Sequence, residues 1–243
     1  MWNGHKYDFH GGCDLVLLQA PDYNDGQGLY IHIRTKIVRW WSYVDSAVVQ
    51  IGDDTLEVMG GVENKRYFVN GKPGAALEAS GMMPFTIGGH NVRYRHLNDK
   101  QFQFKIFLED GQNVVFKAVK DFMRVDIENP TEEAFGSSVG LMGSFSEGKM
   151  LARDGVTILE DANDFGQEWQ VLLTEPMLFH NVEGVQHPEA CAMPTVTEEK
   201  RRLEGSISRE QAEIACSKVS PDEMADCVFD VMATNDIDVA GAF

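Results

Sequence analysis

Gln101-Phe102-Gln103-Phe104-Lys105-Ile106-Phe107-Leu108-Glu109-Asp110-Gly111-Gln112-Asn113-Val114-Val115-Phe116-Lys117-Ala118 decides the fold class. Phe102, Phe104, Ile106 and Leu108 fall at every second position. Successive side chains of a strand point to opposite faces of its sheet, so this spacing marks one buried face and one wet face. Asp110-Gly111 follows, a pair that readily takes positive φ at both centres of a tight hairpin turn. Val114, Phe116 and Ala118 then resume the alternation. The stretch reads as two antiparallel strands and their turn.

The same pattern extends outward on both sides. Leu29, Ile31, Ile33, Thr35 and Ile37 alternate with Tyr30, His32, Arg34 and Lys36, a half-buried strand with one wet face. Asn70-Gly71 and Gly52-Asp53-Asp54 mark turns after the apolar stretches 67–69 and 48–51. Val125 and Ile127 continue a strand that Asn129-Pro130 stops. About nine to eleven short strands at this spacing predict a mainly β protein, an antiparallel two-sheet β-sandwich. The sandwich is expected over 1–173. Within it, 136–156 is rich in glycine and has no alternation, so it reads as loop. Residues 174–196 carry Pro176, Pro188 and Pro194 without periodicity, which predicts an extended linker packed along the surface.

The tail, 197–243, reads as a short α-helical segment. Ser208-Arg209-Glu210-Gln211 spells a capping box, and Ala212, Ala215, Cys216 and Val219 follow at helical spacing. Ser220-Pro221-Asp222-Glu223 spells a second box with proline at the first helical position. Met224, Cys227, Val228 and Val231 repeat the apolar spacing. Two amphipathic helices joined by a tight turn place Cys216 and Cys227 on facing apolar stripes. A disulfide there is geometrically natural; two buried free thiols are the alternative.

Composition narrows the function. The chain has 243 residues, 43% of them hydrophobic and 24% charged, a globular balance. At this length roughly 70–75% of the unfolded surface can be buried, so a core forms without a staple. There are 21 Lys and Arg against 38 Asp and Glu, a net charge of -17. Phosphate neutralisation needs dense Lys and Arg, so a nucleic-acid partner is disfavoured, and anionic membrane surfaces with it. Cations and basic partners stay open. No apolar run approaches the ~18–20 residues of a membrane span. The opening Met1-Trp2-Asn3-Gly4-His5-Lys6 has no apolar stretch or cleavage site, so it is not a signal peptide; the chain reads as cytosolic or as a mature fragment. Cys13, Cys191, Cys216 and Cys227 allow three full pairings and contain no Cys-x-x-Cys unit.

No residue set demands catalysis. Gly136-Ser137-Ser138-Val139-Gly140 matches the G-x-S-x-G elbow, but no helix follows it to serve an oxyanion. His180, His187 and Cys191 lack regular spacing and a fourth ligand, so capping or solvated histidines are expected instead of zinc. His5, His10 and His32 lie on β elements and read as surface or hydrogen-bonded histidines. Asp53-Asp54, Asp22 with Asp25, and Asp161 with Asp164 lack the ligand spacing of an EF-hand and read as turn residues. Trp40, Trp41 and Tyr43 read as a strand-edge core cluster, with ligand stacking as the alternative.

One resemblance reaches further. The opening Trp2-Asn3-Gly4-His5-Lys6-Tyr7-Asp8-Phe9-His10-Gly11-Gly12-Cys13 and the apolar stretch after it resemble the start of the von Willebrand factor type D domain. Val69-Asn70-Gly71, then Val139-Gly140-Leu141-Met142-Gly143-Ser144-Phe145, then Phe165-Gly166-Gln167-Glu168-Trp169 are similar to later markers of that family, in order, over 2–171. The tail resembles the cysteine-rich helical segment that follows the domain, and is similar to the version in secreted adhesive proteins of diatoms and other marine algae. The Gly-Asp-Pro-His motif that precedes the opening in the family is absent, as it would be in a cleavage product.

The resemblance implies two stacked antiparallel sheets and a secreted, non-catalytic module that interacts with other extracellular proteins or glycans, in adhesion or mucilage-type assembly. It also implies an alternative, a secreted carrier of lipid or another small ligand; a contiguous apolar cavity would favour it. It implies Cys13 paired with Cys191, leaving Cys216 for Cys227, and an oxidising compartment. The family's calcium ligands map to Asn3, Ser144 and Ser146, all neutral here. Calcium wants several carboxylates, and Asp154 or Glu147 are the acids nearby. The expectation is no cofactor, with at most a weak calcium site at Asn3, Ser144, Ser146 and Asp154; the alternative is a loop tied by its own hydrogen bonds.

Overall fold

The computed structural model describes residues 1–38, 41–61, 66–181, 190–195 and 207–243. Among them two antiparallel sheets stack as a sandwich. The first is a six-stranded meander: β1 (Asp14–Ala20), β2 (Leu29–Val38), β3 (Trp41–Ile51), β4 (Asp54–Met59), β5 (Tyr67–Val69) and β6 (Lys72–Pro73). The second holds five strands, again in chain order: β7 (Gly81–Ile87), β8 (His90–Asn98), β9 (Gln101–Phe107), β10 (Asn113–Val119) and β11 (Phe122–Glu128).

The hairpin that decides the fold class forms in the expected register. Phe104 lies opposite Phe116, and Phe102 opposite Ala118. Asp110 and Gly111 take φ of 52° and 77°, as a turn with two left-handed centres requires. Asn70-Gly71 turns in the same way between β5 and β6. Between the sheets, Leu18, Ile31, Val49 and Leu56 share one apolar cluster with Tyr94, Phe102, Phe104 and Phe116, all at most 1% exposed. Tyr67 of the first sheet meets Phe104 of the second with ring centroids 5.1 Å apart. Truncating a ring as central as Phe104 to alanine costs about 3–5 kcal/mol.

The outer face of β2 is covered at His32 and Arg34, contrary to its alternating pattern, while Lys36 stays exposed as expected. His32 and Arg34 are 4% and 3% exposed. The cover is the described start of the proline-containing linker. Leu178 and Phe179 form a second apolar cluster with Val48 and Tyr30 on that face. The strap, 178–181, therefore gives the first sheet a buried outer layer. The rest of the linker, 182–189 with His187 and Pro188, lies outside the described residues. The chain re-enters at 190–195, where Gly12 and Ala192 bridge and Cys191 bonds to Cys13.

The glycine-rich loop covers the open edge of β1. Gln19 and Val139 exchange backbone hydrogen bonds, and the amides of Leu141 and Met142 donate to Val16 O and Leu17 O. Farther along, Val16 and Val171 bond to Trp169 O and Asp14 O. An uncovered edge strand invites pairing with another chain, and this edge is filled. Gly140 has φ of 122°, and a Cβ there would lie 2.7 Å from Leu17 O, so the close approach requires glycine.

The tail docks on the outer face of the second sheet. Its first helix, Arg209–Ala215, carries the expected capping box of Ser208 with Gln211. The second, Met224–Thr234, starts later than its sequence predicts. Ser220–Glu223 forms a turn instead of a capped first helical turn; the Glu223 carboxylate accepts from Ser220 Oγ at 3.1 Å and from Arg124 at 2.8 Å. Cys216 and Cys227 are bonded and fully buried at the centre of the tail's own apolar cluster. Lysines fasten the tail to the sandwich: Lys120 pairs with Asp236 and Asp238, Lys100 with Asp238, and Lys117 donates to Gly241 O at 2.7 Å.

Candidate functional site

Among the described residues the glycine-rich loop is tied by its own hydrogen bonds. Asn3 Oδ1 accepts from the His5 amide at 2.9 Å, and Asn3 Nδ2 donates to Glu147 O. Ser144 Oγ accepts from the Lys149 amide at 2.9 Å. The Asp154 carboxylate accepts from Val156 N, Thr157 N and Thr157 Oγ1. The Thr157 hydroxyl, then the two amides, hold that carboxyl below its ordinary value. Asn3 is brought to the 144–149 turn, whereas Asp154 is committed to its own. A cation would compete with existing donors at each of these positions.

Ser138 is buried, and its hydroxyl donates to Phe135 O at 2.6 Å. That oxygen is engaged by backbone and is preceded by a single helical turn, Glu132–Phe135. His180 packs against Gly71, with Nε2 3.3 Å from Thr55 Oγ1, and Cys191 is consumed by its disulfide. His10 stacks on Phe229 of the tail. Asp54 accepts from Asn70 Nδ2 and Gly88 N, Asp22 from Ser137 Oγ, and Asp161 caps the helix Ala162–Glu168. Among the described residues no three His, Cys, Asp or Glu side chains gather as metal ligands.

Two features stand apart from the sequence motifs, except that Trp41 and Tyr43 of the second carry ligand stacking as an alternative reading. The first lies under the strap. Arg34 forms a two-pronged pair with Asp14, donates to Asn181 O at 2.6 Å and stacks 4.2 Å over the Phe179 ring. Glu57, fully buried, accepts from His180 N at 2.8 Å and Asn181 N at 3.1 Å through Oε2. The strap is thereby held by one carboxylate and one guanidinium standing on the sheet. Arg34 lies at one of the alternating β2 positions that read from sequence as the wet face.

The second is a cavity of about 350 Å³ between β3, β11 and the tail. Trp41, Tyr43, Phe122, Val125 and Phe243 supply apolar walls. Leu17, the extra residue where the β1–β2 register shifts, lies on the same wall. Trp41 is 6% exposed and sits with Tyr43 and Phe122 in one ring cluster, so the aromatic stretch is core on one side and cavity wall on the other. Trp40 lies outside the described residues. Asp230 and Arg124 are the charged residues of the lining. Burial, with Asp226 and Asp8 nearby, pushes the Asp230 carboxyl up to about 7. Asp230 lies one turn after Asp226 on the second tail helix.

These features define a disulfide-bonded β-sandwich with a docked helical tail, an apolar junction cavity and a strongly acidic surface. Comparison with protein-family models finds no match, and comparison with curated proteins finds none.

Proposed function

We propose that this chain is a non-catalytic extracellular module that binds other proteins or glycans in adhesion or matrix assembly, and that its sandwich is of the von Willebrand factor type D kind. The observation that carries the reading is the pair of disulfides, Cys13–Cys191 and Cys216–Cys227, which are compatible with an oxidising compartment. Packing supports the family resemblance. Trp2 of the opening marker packs at a tilt against Phe145 of the glycine-rich marker at 5.1 Å, and Tyr7 meets Phe165 of the last marker edge-on at 5.2 Å. Tyr7 also donates to Leu141 O at 3.0 Å. Markers far apart in sequence thus share one cluster. Leu172, Leu173 and Met177 expose apolar side chains ahead of the strap, a surface suited to contact with another macromolecule.

The test is thiol mapping of protein from its native source, alkylated at lysis without reductant. Both disulfides are expected intact; four alkylated cysteines would overturn the extracellular reading. Ser138→Ala is expected to leave any ester hydrolysis of the preparation unchanged, and a stoichiometric activity lost on that change would overturn the non-catalytic reading. No helix among the described residues is long and apolar enough to cross a membrane.

A second reading, a carrier of a small apolar ligand, is favoured by one observation, the junction cavity with its aromatic wall.

A further inference from the structure

The two charged residues of the junction cavity are not equivalent. Arg124 is neutralised: Nε donates to Asp126 at 2.7 Å and Nη2 to Glu223 at 2.8 Å. Asp230 has no cation or hydrogen-bond donor on its carboxylate among the described residues; Thr234 Oγ1 donates to its backbone carbonyl. The like charges of Asp226 and Asp8 stand near it. Trp41, on the same lining, keeps Nε1 buried without an acceptor among the described residues.

A half-buried carboxylate with like charges near it and no counter-charge is destabilised, and the destabilisation is relieved when a cation is brought to it. Aromatic faces attract cations as well, and Trp41, Tyr43 and Phe122 form such a wall. A fatty acid would add a second anion beside Asp230. An uncharged lipid would bury the carboxylate further without pairing it. We infer that the cavity binds a small amphiphile with an apolar body and one protonated amine, the amine on Asp230 and the body against Trp41, Phe122 and Val125. This assignment rests on the carrier reading and specifies its ligand class.

The test titrates the full, oxidised chain by calorimetry with octylammonium, octanoate and octanol, following tryptophan fluorescence in parallel. The titrations use ~0.15 M salt, so that diffuse attraction to the acidic surface is screened. One octylammonium per chain is expected, with affinity roughly tenfold or more above octanoate, the scale of one charge-assisted hydrogen bond. Asp230→Asn is expected to fold, because it removes an unpaired charge, and to abolish that preference. Val125→Trp, which fills the cavity from β11, is expected to abolish binding. Equal affinity for all three probes, or a preference that survives Asp230→Asn, would overturn the amine assignment and leave the carrier reading standing. Binding that survives Val125→Trp would place the site elsewhere. No binding of any probe would overturn the assignment and the carrier reading together.

Discussion

Arg34 and Asp14 face each other across β2 and β1 with Nε–Oδ1 of 2.7 Å and Nη2–Oδ2 of 2.8 Å, at side-chain exposures of 4% and 1%. A pair this deep behaves unlike a surface ion pair. Its members lose their hydration on folding, so removing one strands the other in the interior. Arg34→Leu is therefore expected to destabilise the chain by about 3–5 kcal/mol in denaturant unfolding. Asp14→Leu with Arg34→Leu should cost clearly less than the sum of the single changes. A coupling energy under about 1 kcal/mol, typical of exposed pairs, would show that the pair is solvated in solution.

The two disulfides should differ in weight. Cys13–Cys191 closes a loop with a sequence separation of 178, and Cys216–Cys227 one of 11. On the loop-entropy account these are worth about 5 and about 3 kcal/mol respectively. Cys13→Ser should therefore lower the melting temperature more than Cys216→Ser, with full reduction lower still. Equal or reversed losses would show that the long bridge does not restrain the unfolded chain.

Legibility followed turn chemistry and failed at covered faces. Asp110-Gly111 and Asn70-Gly71 announce their hairpins because few residue pairs take positive φ twice. The β10–β11 turn gives no such signal: it places Lys120 at φ 53°, a residue with no preference for that region. The outer face of β2 misleads for another reason. Alternation records which side chains are polar, but Arg34 and His32 are buried by a strap some 150 residues on, and strand periodicity carries no trace of that contact. The cavity depends in the same way on the docking of the tail, set by Lys120 with Asp236 and Arg124 with Glu223.

Calcium should find no tight site in the glycine-rich loop. Asn3, Ser144 and Asp154 already accept hydrogen bonds from the chain, and only Asp154 among them carries charge. A calcium ion takes about six to eight oxygens, usually with several carboxylates. Titration in ~0.15 M salt should show no saturable site, and millimolar calcium should raise the melting temperature little. A stoichiometric micromolar site abolished by Asp154→Ala would make calcium part of the fold.

Asp230 should make stability fall as pH rises. Its carboxyl, ordinarily near 3.8, is pushed up to about 7 in the folded chain, chiefly by burial and then by Asp226 and Asp8. Between those values the folded state holds a proton that the unfolded state has released, so folding takes up a proton and raising the pH opposes it. Below 3.8 both states are protonated and the residue is neutral in effect; above about 7 both are ionised and the full penalty is present. Allowing for solvent screening at a partly exposed site, that penalty is about 2 kcal/mol. Asp230→Asn should therefore stabilise the chain above neutrality by about that amount, with the gain fading as the pH falls towards the ordinary carboxylate range. Paired thermal melts of the two proteins across that interval measure it directly. A gain that stays constant with pH would mean that Asp230 is solvated and that the tail helix does not bury it against the sandwich.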